Sequence, residues 1–520
     1  MPLPTPIPAD FNTVAALIHQ HALQAPLHNA LVEGSRAMAY GALDAMMDRV
    51  AHALQRNGIH AGDAIAICAN SSIEYAAVFL GALRAGVVVA PLAPSSTSAS
   101  LARMVDDAQA RLVFTDAACA ELLAEVPPTQ SRWVALDDSA VAIRLSDWLD
   151  APKGAPDAAP QVAVKVLPEW PFNIIYSSGT TGEPKGIVQS HGMRWMHVRR
   201  GSLLGYDAST VMLVSTPLYS NTTLVVFFPT LAFGGTVVLM PKFEAAAYLK
   251  LAQASHATHT MLVPVQYQRL MARPDFGEYD LSSFKFKFST SAPFSAALKA
   301  DVVARWPGAL VEFYGMTEGG GSFILDAHLH PDKLHTVGRP SEGHDIRLID
   351  EQGIEVPPGE AGEVVGHSPG MMTGYHRQPE KTREAEWFDA TGKRFIRTGD
   401  IGRFDADGFL TLFDRKKDMI ISGGFNIYPS DLEGVLREHP AVLEAAVVGV
   451  PSEQWGESPV VFAVLRSGYS VPPETLLEWF NQHVGKTQRA IDLRLLDELP
   501  RSAIGKVLKR ELRERYLPVQ

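Results

Sequence analysis

Residues 63–115 read DAIAICANSSIEYAAVFLGALRAGVVVAPLAPSSTSASLARMVDDAQARLVFT, and within this stretch the apolar period changes repeatedly. DAIAICA has the length and composition of a strand. IEYAAVFLGALRAG is an apolar helix that stops at Gly86, VVVAPL is a second strand, SASLARMVDDAQ a second helix and RLVFT a third strand. Such alternation implies a parallel sheet covered by helices, the α/β class. It resumes through FNIIYSS, VMLVSTPL, GGTVVLM and THTMLVPV, after a Pro/Ala/Gly-rich surface connection (APKGAPDAAP, 151–160). Beyond Gly338 the strand-like runs shorten and are separated by Gly and Asp, as in DIRLIDEQG, GEVVGHSPG and GRFDADGFLTLFDRKKD, which predicts a small antiparallel β region. The last hundred residues change again: DLEGVLREH, PETLLEWFNQHV and KVLKRELRERY read as helices, LEAAVVGV and PVVFAVL as strands. Together they form a small α+β unit.

The chain has 520 residues, more than the roughly 250–300 that one hydrophobic core organises. A large N-terminal domain of helix-covered sheets with a small β region, residues 1–414, is therefore expected. A mobile α+β C-terminal domain, residues 415–520, follows a boundary near Arg415 to Lys417. With 46% hydrophobic and 20% charged residues the composition is that of an ordinary globular protein. Its 46 basic and 57 acidic residues leave a net charge of −11, which argues against a general nucleic-acid or anionic-membrane binder. An anionic ligand must then meet local positive charge. Cys68 and Cys119 are the two cysteines, so neither a disulfide framework nor a thiolate zinc site is expected, and a reducing, cytoplasmic setting is natural. The opening MPLPTPIPADF lacks the basic and apolar regions of a secretory signal, and the uncharged stretch 208–241 is broken by Ser, Thr, Asn, Pro and Gly. It reads as buried core, not as a membrane span. His256 and His259, or His328, His330 and His335, have no Cys or carboxylate cluster to complete a metal site in the sequence.

The stretch richest in chemistry is YSSGTTGEPKG, residues 176–186, directly after the apolar FNII. Small hydroxyl residues and Gly fill Ser177, Ser178, Gly179, Thr180, Thr181 and Gly182, so N–H and O–H groups can converge on phosphate oxygens without steric obstruction. Lys185 adds a point charge. No GK[ST] follows at the Walker spacing, which disfavours ordinary P-loop chemistry. Four further segments resemble, as this one does, the motifs of a known enzyme superfamily: Tyr314-Gly315-Met316-Thr317-Glu318, Arg397-Thr398-Gly399-Asp400, Asp414-Arg415-Lys416-Lys417-Asp418 with Ile421 to Pro429, and Leu499-Pro500-Arg501-Ser502-Ala503-Ile504-Gly505-Lys506. ATP handling needs a flat ring, a ribose acceptor, an oxygen ligand for a hard cation and cations for phosphate. Tyr314, Asp400, Glu318 and the set Lys185, Arg415 and Lys506 offer one of each.

These five segments, in this order, resemble the motifs of the adenylate-forming superfamily, which includes acyl-CoA synthetases, luciferases and the adenylation domains of peptide synthetases. The resemblance covers essentially the whole chain. It implies that Tyr314 stacks on adenine, that Thr317 contacts the α-phosphate, that Glu318 with Thr181 holds Mg²⁺, and that Asp400 binds the ribose. Ser291, Ala292, Glu312, Gly315 and Met316 fall at further ATP/AMP positions. Lys417 is the implied hinge and Lys506 the implied catalytic lysine. Gly423 and Gly424 would line a pantetheine tunnel, with Trp455 near the coenzyme or simply a rim aromatic. The implied reaction has two steps: a carboxylate attacks the α-phosphorus of ATP and expels pyrophosphate, then the thiol of coenzyme A takes the acyl group and AMP leaves. The implied partners are a small carboxylic acid, aromatic or medium-chain, with ATP and coenzyme A, and a homodimer is left open.

Several positions depart from the family pattern. Ser220, after VMLVSTPLY and Tyr219, stands where many relatives carry His, so the acyl entrance is altered. Glu312 stands where an amide side chain often contacts adenine; a carboxylate can accept there but cannot donate. Thr487-Gln488-Arg489-Ala490 lacks the Lys and Pro of many relatives. Gly319, Gly320 and Gly321 remove side-chain bulk beside the expected acyl pocket, leaving room for a ring or a branch. The alternatives are an acyl-AMP ligase delivering to a carrier-protein thiol, a luciferase-like monooxygenase, and a nucleotide-binding sensor without turnover. No carrier-type segment follows the tail, which favours free coenzyme A. Lys506 and Glu318 argue against the sensor, and no feature speaks for the monooxygenase.

Overall fold

The computed structural model describes residues 7–124, 132–150, 164–177, 184–415, 418–422, 425–452, 455–502 and 505–516. The chain packs as two units, one of residues 1–334, 340–345 and 367–396, the other of residues 335–339, 346–366 and 397–520. The second unit thus includes, besides the tail, β segments that lie before residue 415.

Two sheets organise the first unit. In one the order is Ser322–Asp326, Ala309–Gly315, Phe286–Ser289, His259–Leu262, Val211–Val214, Thr236–Leu239, Asn29–Glu33, Arg36–Ala39. Its strands are parallel from Ala309–Gly315 to Asn29–Glu33, with an antiparallel neighbour at each end of that run. The other runs Gly374–Tyr375, Lys185–Ser190, Pro171–Ser177, Val88–Pro91, Ala64–Cys68, Ala110–Thr115, Arg132–Ala135, Ile143–Arg144. Here Pro171–Ser177 and Lys185–Ser190 form an antiparallel hairpin at the side of a parallel set. The strands and helices read from residues 63–115 all form, as Ala64–Cys68, Ile73–Arg84, Val88–Pro91, Ser98–Asp107 and Ala110–Thr115. That these three strands share one sheet, while Val211–Val214, Thr236–Leu239 and His259–Leu262 build the other, was not visible in the sequence.

The reason these residues form these elements is burial on every side. Every residue of Ala64–Cys68 is buried, as expected where both faces of a parallel sheet are covered. Helix Ile73–Arg84 starts where the Ser72 side chain accepts the Tyr75 N–H and ends ahead of Gly86, whose φ of 69° is left-handed. It is apolar all round because it lies inside the main core. Phe79, Phe172 and Phe228 meet there at centroid separations of 6.2, 5.5 and 4.9 Å. Each such side chain contributes roughly 1.5–3 kcal/mol by leaving water. Where this helix crosses Tyr40–Arg56, Gly81 permits the approach: a Cβ there would lie 2.5 Å from the Val50 Cβ.

In the second unit, Arg394–Phe404, entering from the first, pairs antiparallel with Leu410–Arg415, as the Gly/Asp-punctuated sequence predicts. The tail builds on antiparallel strands Val442–Ser452 and Gly456–Leu465, with Asp492–Leu495 parallel to the latter. Alternate residues separate to two faces. Ala445 and Val447 join the cluster with Leu432, Leu436 and Phe480, whereas Ala446 and Val448 join the cluster with Leu499 and Leu512. Cys68 and Cys119 are buried free thiols. No helix among the described residues is long and apolar enough to cross a membrane.

Two outcomes follow from this packing. Ala is favoured over Gly inside a helix by about 1 kcal/mol, yet Gly81→Ala should destabilise the protein by roughly 1–3 kcal/mol because Val50 cannot yield; an unchanged or raised urea midpoint would contradict the packing. Burial also holds His191 and His259 near a pKa of about 4, against an ordinary 6.5. Below about pH 6.5 the unfolded chain therefore binds protons that the folded chain does not. Stability should be complete above that pH and fall towards pH 4 by on the order of 1 kcal/mol per pH unit per ring. Urea titrations from pH 7.5 to 4.5 measure this, with His259→Gln expected to lessen the slope.

Candidate functional site

The parallel strands of the first sheet end along one edge. Val211–Val214 leads to Tyr219 and Ser220, Phe286–Ser289 to Ser291 and Ala292, and Ala309–Gly315 to Met316, Thr317 and Glu318. The in-register pairs Val214↔Met261, Leu262↔Ser289 and Ser289↔Glu312 hold these exits side by side. Crevices outside the carboxyl ends of parallel strands are the usual ligand sites of open α/β sheets.

Three consecutive carbonyls of the loop after Gly315 are held from two segments, the strand Lys185–Ser190 and the loop of residues 368–373. Gln189 Nε2 donates to Thr317 O at 2.7 Å, the Met372 N–H to Glu318 O at 2.7 Å, and Ser368 Oγ to Gly319 O at 2.6 Å. Gly319 has φ 77° and packs so tightly on the Gly370 carbonyl that no Cβ fits. The space freed by its missing side chain is thus filled by backbone and by Met193, and is not open to a substrate. Met316 packs beside Ile187, Met372 and Tyr375.

The phosphate-loop segment arrives from the second sheet. Ser177 and Lys185 are register partners at the loop end of the hairpin Pro171–Ser177/Lys185–Ser190. Ser178, Gly179, Thr180, Thr181 and Gly182 lie outside the described residues. Tyr176 donates to Asp107 Oδ2 at 2.7 Å, and burial together with that carboxylate pushes its pKa up. Lys185 Nζ stands 5.2 Å from the centre of the Tyr375 ring, and the Tyr375 hydroxyl donates to Glu318 Oε1 at 2.9 Å. Tyr375 therefore joins the two charged groups that the sequence assigned to phosphate and to metal. Burial first, then Glu318, raises the Tyr375 pKa, so it stays a donor. The sequence reading passed over Tyr375, although it sits in an aromatic-Pro-Glu-Thr context (Tyr375, Pro379, Glu380, Thr382) that could have drawn notice; Thr382 Oγ1 accepts its N–H at 3.0 Å.

At the expected acyl entrance, Ser220 caps helix Asn221–Ala232 by accepting the Thr222 N–H, so the residue that replaces His serves the helix start. The Thr222 and Ser291 hydroxyls lie 2.6 Å apart. Ser291 has φ 81°, a left-handed conformation that is strained for a residue with a Cβ. Tyr219 is half-buried, and Ala292 is partly exposed. Tyr314 is also partly exposed, its ring 5.4 Å from that of Phe323, whereas Glu312 is 4% exposed and ion-paired with the equally buried Lys299. Gly315 pairs with Ser322, and Gly320 is buried.

The remaining positions belong to the second unit. Asp400 and Arg415 are cross-strand partners, with Nε 3.2 Å from Oδ1. The turn before Asp400 is clamped, Arg397 gripping Glu363 through Nε at 3.0 Å and a second nitrogen at 2.5 Å, and Thr398 Oγ1 donating to Val364 O at 2.8 Å. Lys506 is exposed on a turn closed by Ser502, whose N–H reaches Lys506 O at 2.8 Å. Arg501 braces that turn on Gly505 O at 2.7 Å and on Glu444 at 2.9 Å. Trp455 is 38% exposed. Lys417, Gly423 and Gly424 lie outside the described residues.

The family model described as AMP-binding enzyme matches residues 18–376, and that described as AMP-binding enzyme C-terminal domain matches 431–506. The chain is 32% identical to a feruloyl-CoA synthase of Amycolatopsis sp, over 96% of this chain and 98% of that protein. It is 30% identical to the fatty acid–[acyl-carrier-protein] ligase ScoC of Streptomyces coeruleorubidus, over 95% of each. Among solved structures, ATP-bound MatB from Rhodopseudomonas palustris superposes with a TM-score of 0.85 at 29% identity, covering 96% of this chain and 99% of that one. With both family models matched in order, the first over more than half of its length, this chain belongs to the AMP-binding enzyme family.

Proposed function

We infer that the protein is an ATP-dependent acid–thiol ligase that activates a carboxylic acid as its acyl-adenylate and transfers the acyl group to coenzyme A. Membership of the family, with relatives that are named CoA ligases across their whole length, supports the reaction class. The observation that carries the reading at the level of residues is the connection Lys185–Tyr375–Glu318, which sets a cation and a carboxylate at fixed positions beside the Tyr314–Thr317 segment.

In the first step the acid carboxylate attacks the α-phosphorus of ATP and pyrophosphate leaves. Lys185 and Lys506 neutralise charge on the phosphates, Thr317 and the hydroxyls of Ser177, Ser178, Thr180 and Thr181 bind phosphate oxygens, Tyr314 stacks on the adenine and Asp400 binds the ribose. Ser291, Ala292, Glu312, Gly315 and Met316 complete the nucleotide's surroundings, and Arg415 adds positive charge near Asp400. Glu318 is a single carboxylate with one oxygen engaged by Tyr375. That donor set suits Mg²⁺ brought in with the nucleotide, because Mg²⁺ keeps several waters and takes one or two carboxylates besides phosphate oxygens. Glu318 with Thr181 would hold the ion, which when bound offsets triphosphate charge. Water must be kept from the mixed anhydride until the thiol arrives. In the second step the domain of residues 415–520 turns about Lys417, withdraws Lys506, and places Gly423, Gly424 and Trp455 along the path of the thiol arm. A second acceptor, a carrier-protein thiol, is favoured by one observation, the ScoC relative named as an acyl-carrier-protein ligase. Pyrophosphate and AMP release, followed over a panel of acids with coenzyme A, with a carrier protein and with neither, tests both readings. Acid-dependent AMP release that ignores coenzyme A would overturn the first.

Lys506→Ala should slow adenylate formation by about a hundredfold or more, the usual loss when a group stabilising transition-state charge is removed. Thioester formation from a supplied acyl-adenylate should change far less; equal losses in the two steps would contradict withdrawal of the lysine. Tyr375→Phe removes the hydroxyl from Glu318 and should lower kcat/KM by about tenfold, the worth of one hydrogen bond to a charged group. It should also raise the Mg²⁺ concentration needed for half-maximal rate. A Mg²⁺ titration that is unmoved would show that the hydroxyl does not position Glu318.

A further inference from the structure

Helix His191–Arg200 follows the phosphate-loop hairpin and turns an unusual face inward. A helix against a core normally presents apolar residues at positions three and four apart. Here His191, Arg194 and His197 share that stripe and Arg200 extends it, with His191 4% and Arg194 1% exposed. Arg194 Nε and Nη2 both donate to Asn173 Oδ1 at 3.1 Å, and Nη2 also reaches Gln189, the same side chain that supports Thr317 O. The aromatic faces of Phe172 and Phe228 lie 5.7 Å from its guanidinium, and Phe313, next to Tyr314, lies 4.6 Å from that of Arg200.

These contacts leave acceptors missing. Arg194 Nη1, His197 Nδ1 and Arg200 Nε are all buried without a protein hydrogen-bond partner. No carboxylate among the described residues forms an ion pair with Arg194 or Arg200. The Arg194 guanidinium thus stands in the interior among neutral amides and ring faces, with the half-buried Arg200 against the Phe313 ring, whereas buried charges are ordinarily paired. Burial lowers the Arg194 pKa to about 9, which leaves it charged at neutral pH, and lowers that of Arg200 as well. Burial, followed by Arg194, Arg200 and His344, keeps His197 neutral.

His344 completes the group from another segment. Its Nδ1 accepts the Ser322 N–H at 3.0 Å, and burial holds its pKa to about 4. The neutral ring must therefore carry its proton on Nε2, as a donor. Ser322 is the register partner of Gly315, and Met193 of the same helix touches Gly319. The cationic face consequently lies against the Tyr314–Gly319 segment, the segment that handles the α-phosphate in the ligase reading. The reacting carboxylate must meet that phosphorus, so the rest of the acid has to extend into this neighbourhood.

We propose that Arg194, His197, Arg200 and His344 form a subsite for a second carboxylate on the acid, so that the substrate class is a dicarboxylic acid and not a plain fatty or aryl acid; this rests on the ligase reading. A guanidinium matches a carboxylate in shape and charge, which a neutral acyl tail cannot replace. A tail lacking the second carboxylate leaves the orphaned donors unanswered, and a site built to hydrogen-bond discriminates strongly against such a substrate.

The test compares succinate, adipate and terephthalate with their monomethyl esters, using the full chain with ATP and Mg²⁺. Pyrophosphate release gives kcat/KM, and thermal shift gives binding without turnover. At least one diacid should exceed its ester by about tenfold to a hundredfold, the range of a charge-assisted hydrogen bond or two. Arg200→Met should collapse that ratio towards one, and Arg200→Lys should restore part of it. Esters equal to or better than diacids in both readouts, or a ratio untouched by Arg200→Met, would overturn the subsite. If Arg200→Met does not fold, the wild-type comparison decides by itself. If no acid releases pyrophosphate the ligase reading fails separately, and the thermal shift of diacid against ester still decides the subsite.

Discussion

The carbonyls of Thr317, Glu318 and Gly319 are held by Gln189, Met372 and Ser368, and the site depends on that threefold grip. A loop at the end of a strand has backbone acceptors that must be satisfied inside the protein. Here the partners come from two distant parts of the chain, Gln189 and the loop that carries Ser368 and Met372, so the loop cannot shift without breaking bonds to both. Glu318 and Tyr314 therefore occupy fixed positions before any ligand arrives, the arrangement that electrostatic catalysis requires. Gly319 belongs to the same constraint, because the Gly370 backbone fills the place of its side chain.

Tyr375 extends the grip to charge. Between Lys185 and Glu318 it supplies a ring face to one and a hydroxyl to the other, coupling the second sheet to the loop that leaves the first. Helix His191–Arg200 is the counterpart of this order. Gln189 receives Arg194 and supports Thr317, so a buried cation with no ion-pair partner among the described residues is linked to the same loop. Buried donors without acceptors cost about 1–3 kcal/mol each, and local rules of this kind tend to be broken where function demands it.

Much of this was legible in the residues. The strands and helices of residues 63–115, the antiparallel β segments after Gly338 and the α+β tail follow from apolar period and turn residues, both local properties. The order of five motifs pointed to the family before any fold was known. The pairing of Tyr375 with Glu318 was not legible, because the two lie 57 residues apart and neither periodicity nor composition marks such a pair. The role of Ser220 was equally hidden: its departure from His is plain in the sequence, but its place as the cap of helix Asn221–Ala232 depends on where that helix begins. Gly319 reads as spare room in the sequence and is a close contact in the fold.

What the sequence by itself determined is the α/β class, the elements and the nucleotide-binding motifs, since these depend on short-range period, backbone freedom and residue chemistry. Only the tertiary structure decided which strands share a sheet, which groups support the Thr317–Gly319 carbonyls, and that Arg194 turns inward with no carboxylate paired to it among the described residues. The physical reason is that hydrogen bonding and charge compensation in the interior are settled among residues far apart in the chain, and no local pattern records which of them will meet.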